Sequence, residues 1–299
     1  MKILLLGKNG QVGWELQRSL APLGQLISLD RNGASCLSGD LSNLPALAQT
    51  IHEVAPDVIV NAAAHTAVDK AETEFELAYR LNAEAPAVMA KEAKTLGALL
   101  VHYSTDYVFD GSGHKAWLED DQTGPLSIYG KSKLVGEQEI ASSGCRHLIF
   151  RTSWVYAARG GNFAKTMLRL AADRDRLTVI DDQFGAPTSA ELIADITAHS
   201  IRQTQANPAL SGLYHLVASG EISWHGYAKF VIAFARQAGL PIKVAEEAIC
   251  AVPTTDFPTP ATRPLNSRMA TDKLRSTFNL ALPHWQLGVE RMLQEVLNQ

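Results

Sequence analysis

Tyr129 and Lys133 stand four residues apart in S-I-Y-G-K-S-K-L-V-G-E, at the start of what reads as a helix, so a phenol and an ammonium share one face. A free phenol ionises near pH ~10, too high for efficient proton exchange at neutral pH. A positive charge one turn away favours the phenolate, lowers that value and makes the pair a tuned proton donor. The same spacing also fits an ordinary surface pair in which a lysine stem covers an aromatic edge. The rest of the chain must decide between the two.

A second chemical cluster lies at the amino terminus. Directly after the apolar run K-I-L-L-L comes G-K-N-G-Q-V-G, which spaces Gly7, Gly10 and Gly13 by three. Glycines so placed let the chain turn tightly, bring its backbone up to a pyrophosphate and pack the next helix on the sheet. The phosphates would meet free N–H groups at the helix N-terminus, where the dipole favours negative charge. The next apolar run, L-I-S-L-D, ends in Asp30, about 20 residues beyond the loop, where an acid commonly holds the ribose hydroxyls of a dinucleotide. Asp30 argues for NADH because a carboxylate repels a 2′-phosphate, while Lys8 and Arg31 nearby in sequence offset the repulsion and leave NADPH open. In S-G-D-L-S, Asp40 with Leu41 is a candidate for the adenine edge, and Asp40 reads equally as a helix N-cap.

Stepping from these residues to what must hold them, short apolar runs alternate with longer amphipathic stretches: K-I-L-L-L, L-I-S-L-D, V-I-V-N-A-A-A, L-L-V-H-Y-S-T and L-I-F-R-T. Each has the length of a buried strand. Continuous apolar strands separated by helices specify a parallel sheet covered on both faces. The expected fold is therefore α/β, a Rossmann-like doubly wound parallel sheet with a smaller carboxy-terminal substrate-binding lobe. Residues 1–151 form the dinucleotide-binding domain, and a strand at 178–182 with a helix at 189–202 returns to it. Residues 152–177 and 203–299 form the lobe, where A-V-P-T-T-D-F-P-T-P-A-T-R-P excludes a regular helix or central strand.

The formal net charge of -4 over 299 residues, with acids and bases interspersed, leaves no polyanion-binding face, so nucleic acid is not expected as a partner. The apolar start M-K-I-L-L-L-G is too short for a signal peptide or a membrane span. Cys36, Cys145 and Cys250 are an odd, sparse set that fits buried free thiols in a reducing compartment. A cytoplasmic protein without a membrane partner is expected.

The order of four signatures, the glycine loop, N-A-A-A-H-T, S-T-D-Y-V-F and Y-G-K-S-K, resembles the extended short-chain dehydrogenase/reductase family. Within it, G-K-N-G-Q-V-G-W-E-L, N-A-A-A-H-T-A-V-D-K-A-E, H-Y-S-T-D-Y-V-F, R-T-S-W-V-Y and R-P-L-N-S-R carry a closer likeness to the reductases of 4-keto nucleotide sugars. That resemblance implies NAD(P)H-dependent reduction of the C4 ketone of dTDP-4-dehydro-6-deoxy-L-mannose in cell-surface polysaccharide and lipopolysaccharide biosynthesis. It implies that Gly10, Gln11 and Val12 contact the pyrophosphate, that Ala64, His65 and Thr66 line the cofactor, and that Tyr103, Tyr129 and Lys133 contact its nicotinamide half. Thr105, Asp106 and Trp154 would face the sugar nucleotide. Relatives described as magnesium-using homodimers further imply a metal cluster of Glu15, Glu191 and Glu295.

Dehydratase relatives carry an Asp-Glu pair after the threonine, whereas Asp106 is followed by Tyr107, which favours reduction over dehydration. Tyr129 would then protonate the carbonyl oxygen, Lys133 would tune it and hold the nicotinamide ribose, and Thr105 would align the oxygen. Arg263 and Arg268, in a proline-framed loop, offer guanidinium forks for the nucleotide phosphates. Two other functions fit the same resemblance: another nucleotide-sugar epimerase or reductase, which if an epimerase would copurify with its cofactor, or a regulatory subunit without turnover. The second is disfavoured because acid, lysine and threonine are all present.

Overall fold

The computed structural model describes residues 1–297. Its centre is a six-stranded parallel sheet. The first five strands in the chain are β1 (Lys2–Leu6), β2 (Gln25–Leu29), β3 (Val58–Asn61), β4 (Leu99–Thr105) and β5 (Arg146–Thr152). The strand Gly212–His215 adds to β5, and across the sheet the order runs from it through β5, β4, β3 and β1 to β2. The chain leaves β1 for β2 on one side and returns to β3 on the other. That reversal opens a crevice at the carboxyl ends of β1 and β3 where ligands bind in such sheets.

Alternate residues of each strand explain the two helix layers. Ile3, Leu5, Val58, Val60, Leu99, Val101, Leu148 and Phe150 pack with Leu16 and Leu20 of helix α1 (Gln11–Leu20) and with Ile193 and Ile201 of the helix Ala190–Ala206. Leu4, Leu6, Ile59, Leu100 and Ile149 face the other way, against Leu47 and Ile51 of α2 (Leu44–Val54), Met89 of the helix Ala85–Leu96 and Ile140 of the helix Ile128–Ser143. Apolar side chains on both faces make this a doubly wound sheet.

Two expectations of the sequence are corrected. The run at 178–182 does not join this sheet: Leu177–Ile180 pairs in parallel with Ile249–Val252 as a separate two-stranded piece. Its residues bury on one side only, Leu177 and Val179 inward and Thr178 outward, so it serves as the cover of a third core rather than a strand sandwiched between helix layers. The sixth strand instead comes from Gly212–His215, inside the segment assigned to the lobe. The helix Ala190–Ala206 does return to the sheet, packing on α1. The third core joins Tyr156, Met167, Tyr227, Val231, Trp285 and Val289 around the helices Phe163–Asp173, Trp224–Gln237 and Trp285–Leu297. The three cysteines are unpaired, and Cys36 lies exposed rather than buried. Among the described residues no helix is long and apolar enough to cross a membrane.

Candidate active site

One cleft of about 790 Å³ opens along the crevice and is lined by the glycine loop, Asp30, Asp40, Ala62–Ala64, Tyr103–Tyr107, Tyr129, Lys133 and Trp154. Its floor is backbone. Gly7 sits at φ +88, and a Cβ there would fall 2.7 Å from the Ala63 nitrogen. A Cβ on Gly13 would meet the Gly7 carbonyl oxygen at 2.0 Å, which is how α1 comes down onto the loop. Gly10 precedes α1 in extended conformation with no side-chain cap, so the first N–H groups of the helix, beginning at Gln11 and Val12, stay open toward the cleft. This is a cradle that a side chain would fill, and it fits a dinucleotide pyrophosphate.

The acids after the loop are held locally. Desolvation pulls the Asp30 carboxyl up, but the Asn32 N–H, Lys8 and Asn9 outweigh it and leave it below the usual carboxylate range. Lys8 Nζ lies 3.6 Å and Asn9 Nδ2 2.9 Å from Asp30. Arg31 pairs instead with Asp40, at 3.7 Å. Asp40 accepts from the N–H and hydroxyl of Ser42 in a tight turn, while Asn43 caps α2. The capping alternative for Asp40 is therefore set aside. Leu41 is buried at the cleft edge.

The opposite wall is side chains. Ser127 caps the helix Ile128–Ser143 by accepting the Gly130 N–H, which starts the helix where Tyr129 and Lys133 fall in its first two turns. Lys133 is buried and Tyr129 half-buried. Tyr129 is pushed up to about 12, chiefly by burial and further by the nearby Asp106 charge, with the Thr105 hydroxyl beside the phenol pulling the other way. Burial also brings Lys133 down to about 8, against the pull of Glu137. The two do not meet as the spacing suggested. The lysine runs inward to the sheet, donating to the Tyr103 carbonyl at 2.5 Å and lying 3.0 Å from His102 Nε2. A shared helix face fixes where two side chains leave the backbone, but the long lysine stem carries its charge to polar groups at the sheet. Burial holds Asp106 at about 6 despite the nearby Ser267 hydroxyl and the hydrogen bond from Thr105, and one of its carboxylate oxygens has no partner.

Other expected residues are sorted by the fold. Ala64 and Thr66 line the cleft, but His65 turns away, its N–H and carbonyl tied to Asn82 and its Nε2 3.0 Å from Glu74. Tyr103 lends the cleft its edge while its hydroxyl bonds Thr197 behind the sheet. Trp154 lies at φ +50, stacked on Trp224 with centroids 3.6 Å apart. Trp224, also in the cleft wall, escaped the sequence reading because no local motif marks it. Its indole N–H donates to Gln183.

Arg263 and Arg268 do not line this cleft. Arg263 forks onto Asp69, and Arg268 donates to Glu221 while lying over the Phe184 ring. Each guanidinium is neutralised within the chain. The three glutamates lie within electrostatic reach, since Glu191 and Glu295 both push the Glu15 carboxyl up after burial does. Yet Glu15 pairs with Arg18 and Glu191 with Arg291, and no group of three or more metal-ligating side chains is found among the described residues. With Glu15 and Glu191 already matched by arginines, these residues do not fit a resident magnesium within one chain.

The chain as a whole has clear relatives. A family model described as the RmlD substrate binding domain matches residues 1–298. The dTDP-4-dehydrorhamnose reductase of Escherichia coli (strain K12) is 57% identical over 296 residues, covering 99% of this chain and 98% of that protein. Among solved structures, a dTDP-4-dehydrorhamnose reductase from Clostridium acetobutylicum is similar with a TM-score of 0.89 at 35% identity, over 100% of both chains. The dTDP-4-dehydrorhamnose reductase of Bacillus anthracis, in complex with NADP, matches with a TM-score of 0.85 at 34% identity, over 98% of this chain and 99% of that one.

Proposed function

This chain belongs to the RmlD substrate binding domain family, and from that premise we propose that it reduces the C4 ketone of dTDP-4-dehydro-6-deoxy-L-mannose with NADH or NADPH, giving dTDP-L-rhamnose for cell-surface polysaccharide synthesis. The observation that carries the reading is one cleft in which a half-buried phenol and a half-satisfied buried carboxyl face an open glycine loop.

When bound, the dinucleotide supplies hydride to C4. Tyr129 gives its proton to the ketone oxygen as the carbonyl becomes a hydroxyl. Its raised pKa supports this, because the phenol then arrives protonated at neutral pH. Thr105, beside that phenol, holds the oxygen in line. Lys133 takes the nicotinamide ribose hydroxyls and, when charged, steadies the phenolate left on Tyr129. Asp106 accepts from a sugar hydroxyl through its unpartnered oxygen, and Trp154, backed by Trp224, offers an aromatic face to the C–H side of the ring. Asp30 takes the adenosine ribose hydroxyls, with Lys8 close enough to soften the rejection of a 2′-phosphate.

The reaction belongs in the cytoplasm and the enzyme is a homodimer. Sedimentation with and without chelator tests both that assembly and any magnesium dependence of it. The activity is tested by following NADH and NADPH oxidation with dTDP-4-dehydro-6-deoxy-L-mannose against other keto-sugar nucleotides. Preference for the first substrate is expected, and no oxidation above background with it overturns the reading.

A further inference from the structure

The polar atoms around Lys133 and His102 allow one consistent assignment of protons. Oδ1 of Asn61, at the end of β3, accepts the Ala63 N–H at 3.2 Å, so the amide nitrogen Nδ2 is what lies 3.1 Å from His102 Nδ1. An amide NH2 only donates. His102 Nδ1 must therefore hold the lone pair, and a neutral ring carries its proton on Nε2. That proton points at Lys133 Nζ, 3.0 Å away. An ammonium has three donors and no acceptor, so it cannot receive the bond. A neutral amine can, while still donating to the Tyr103 carbonyl. Asn61, His102 and Lys133 are each no more than 2% exposed, so the mismatch cannot be handed to bulk water.

We propose that His102 is a positioning residue that favours the neutral amine of Lys133 before a dinucleotide binds, and that at mildly alkaline pH dinucleotide binding drives uptake of a solvent proton onto Lys133 Nζ. Charging the lysine requires the imidazole to present a lone pair at Nε2, so its proton moves to Nδ1 and the Asn61 amide turns to offer Oδ1. The net change is one proton gained from solvent, with the ring still neutral. The turn also releases the N–H of Ala63, a residue of the cleft wall. The charged and titratable groups facing the pair are few. Glu137 lies one turn along the same helix but is held by a bidentate bond from Arg151 of β5. Tyr129, one turn back on the same helix, and Asp106, at the end of β4, line the same wall, and β3 contributes only the neutral Asn61. Burial keeps His102 from protonating, and Lys133 adds to this once it is charged.

This inference rests on the reading that a dinucleotide occupies the cleft, and calorimetry separates the two. NADH and NADPH are titrated into the full-length protein near pH ~9, in buffers of unlike ionisation enthalpy, where a lysine of depressed pKa rests neutral. Binding heats that differ between buffers by roughly half a proton or more taken up per site are expected. In His102→Gln an amide oxygen can accept from the ammonium, so uptake falls at least by half. In Asn61→Asp a carboxylate accepts the Nδ1 proton and fixes Nε2 as the acceptor, so uptake again falls. Binding without buffer dependence in the unaltered protein overturns the inference, as does full uptake persisting in both variants. No dinucleotide binding at all overturns the dinucleotide reading and this inference with it.

Discussion

The two walls of the cleft are built from different materials. The glycine-loop wall is backbone: Gly7, Gly10 and the open start of α1 lie within a few residues of one another and meet a ligand with N–H groups. The facing wall is side chains gathered from β4, the helix Ile128–Ser143, the end of β5 and the helix Trp224–Gln237, and it includes a tryptophan in a left-handed conformation held by a stacked partner. Such a conformation costs a non-glycine residue of order 1–3 kcal/mol and persists where surroundings impose it. A backbone wall suits a ligand part shared by many enzymes, and a side-chain wall suits the part that differs between them.

If the walls act separately, substitutions should divide between cofactor binding and sugar chemistry. The largest effect is expected in Tyr129→Phe, which keeps the ring and its edge contact with Tyr107 but loses the proton, so kcat falls ~10² to 10⁴ while dinucleotide affinity holds. Near-normal kcat in the folded variant would remove Tyr129 from the chemistry. Next comes Gly7→Ala, strained at φ +88 and driven into Ala63. It should weaken dinucleotide binding roughly thirtyfold, about 2 kcal/mol, as read by quenching of protein fluorescence. Trp224→Ala should raise the sugar-nucleotide KM ~10-fold by freeing Trp154, with dinucleotide Kd unchanged. An equal loss in both constants would show that the walls are coupled.

Smaller effects sharpen the same division. Asp30→Ala should raise kcat/KM with NADPH relative to NADH by roughly fivefold, since the loss is one hydrogen bond at a part-exposed site, about 1 kcal/mol. An unchanged ratio would mean that Asp30 does not reach the ribose. On the other wall, burial lifts Asp106 to about 6, so it is ionised at neutral pH and gains a proton as pH falls through that value. The sugar-nucleotide KM should then rise severalfold on the acid side, and Asp106→Asn should flatten that limb. A limb that survives the substitution belongs to another group.

The same contrast marks what was legible in the sequence. The glycine spacing, the strand-length apolar runs of β1 to β5, the acid at the end of β2 and the helical start at Tyr129 are local patterns, because a turn, a strand length and a capped helix are each settled within a few residues. Those features led to the doubly wound sheet and to the residues of the backbone wall. Only the tertiary structure decided that Leu177–Ile180 leaves the sheet and Gly212–His215 completes it, since both are short runs whose partner is chosen by which face gets covered. It alone set Trp224 behind Trp154 and matched Arg263 and Arg268 with acids distant in the chain. Lys133 shows the boundary most sharply. Its place on the helix follows from the spacing, but whether its nitrogen carries a charge depends on His102, Asn61 and the Tyr103 carbonyl, which come from two neighbouring strands and exclude water together.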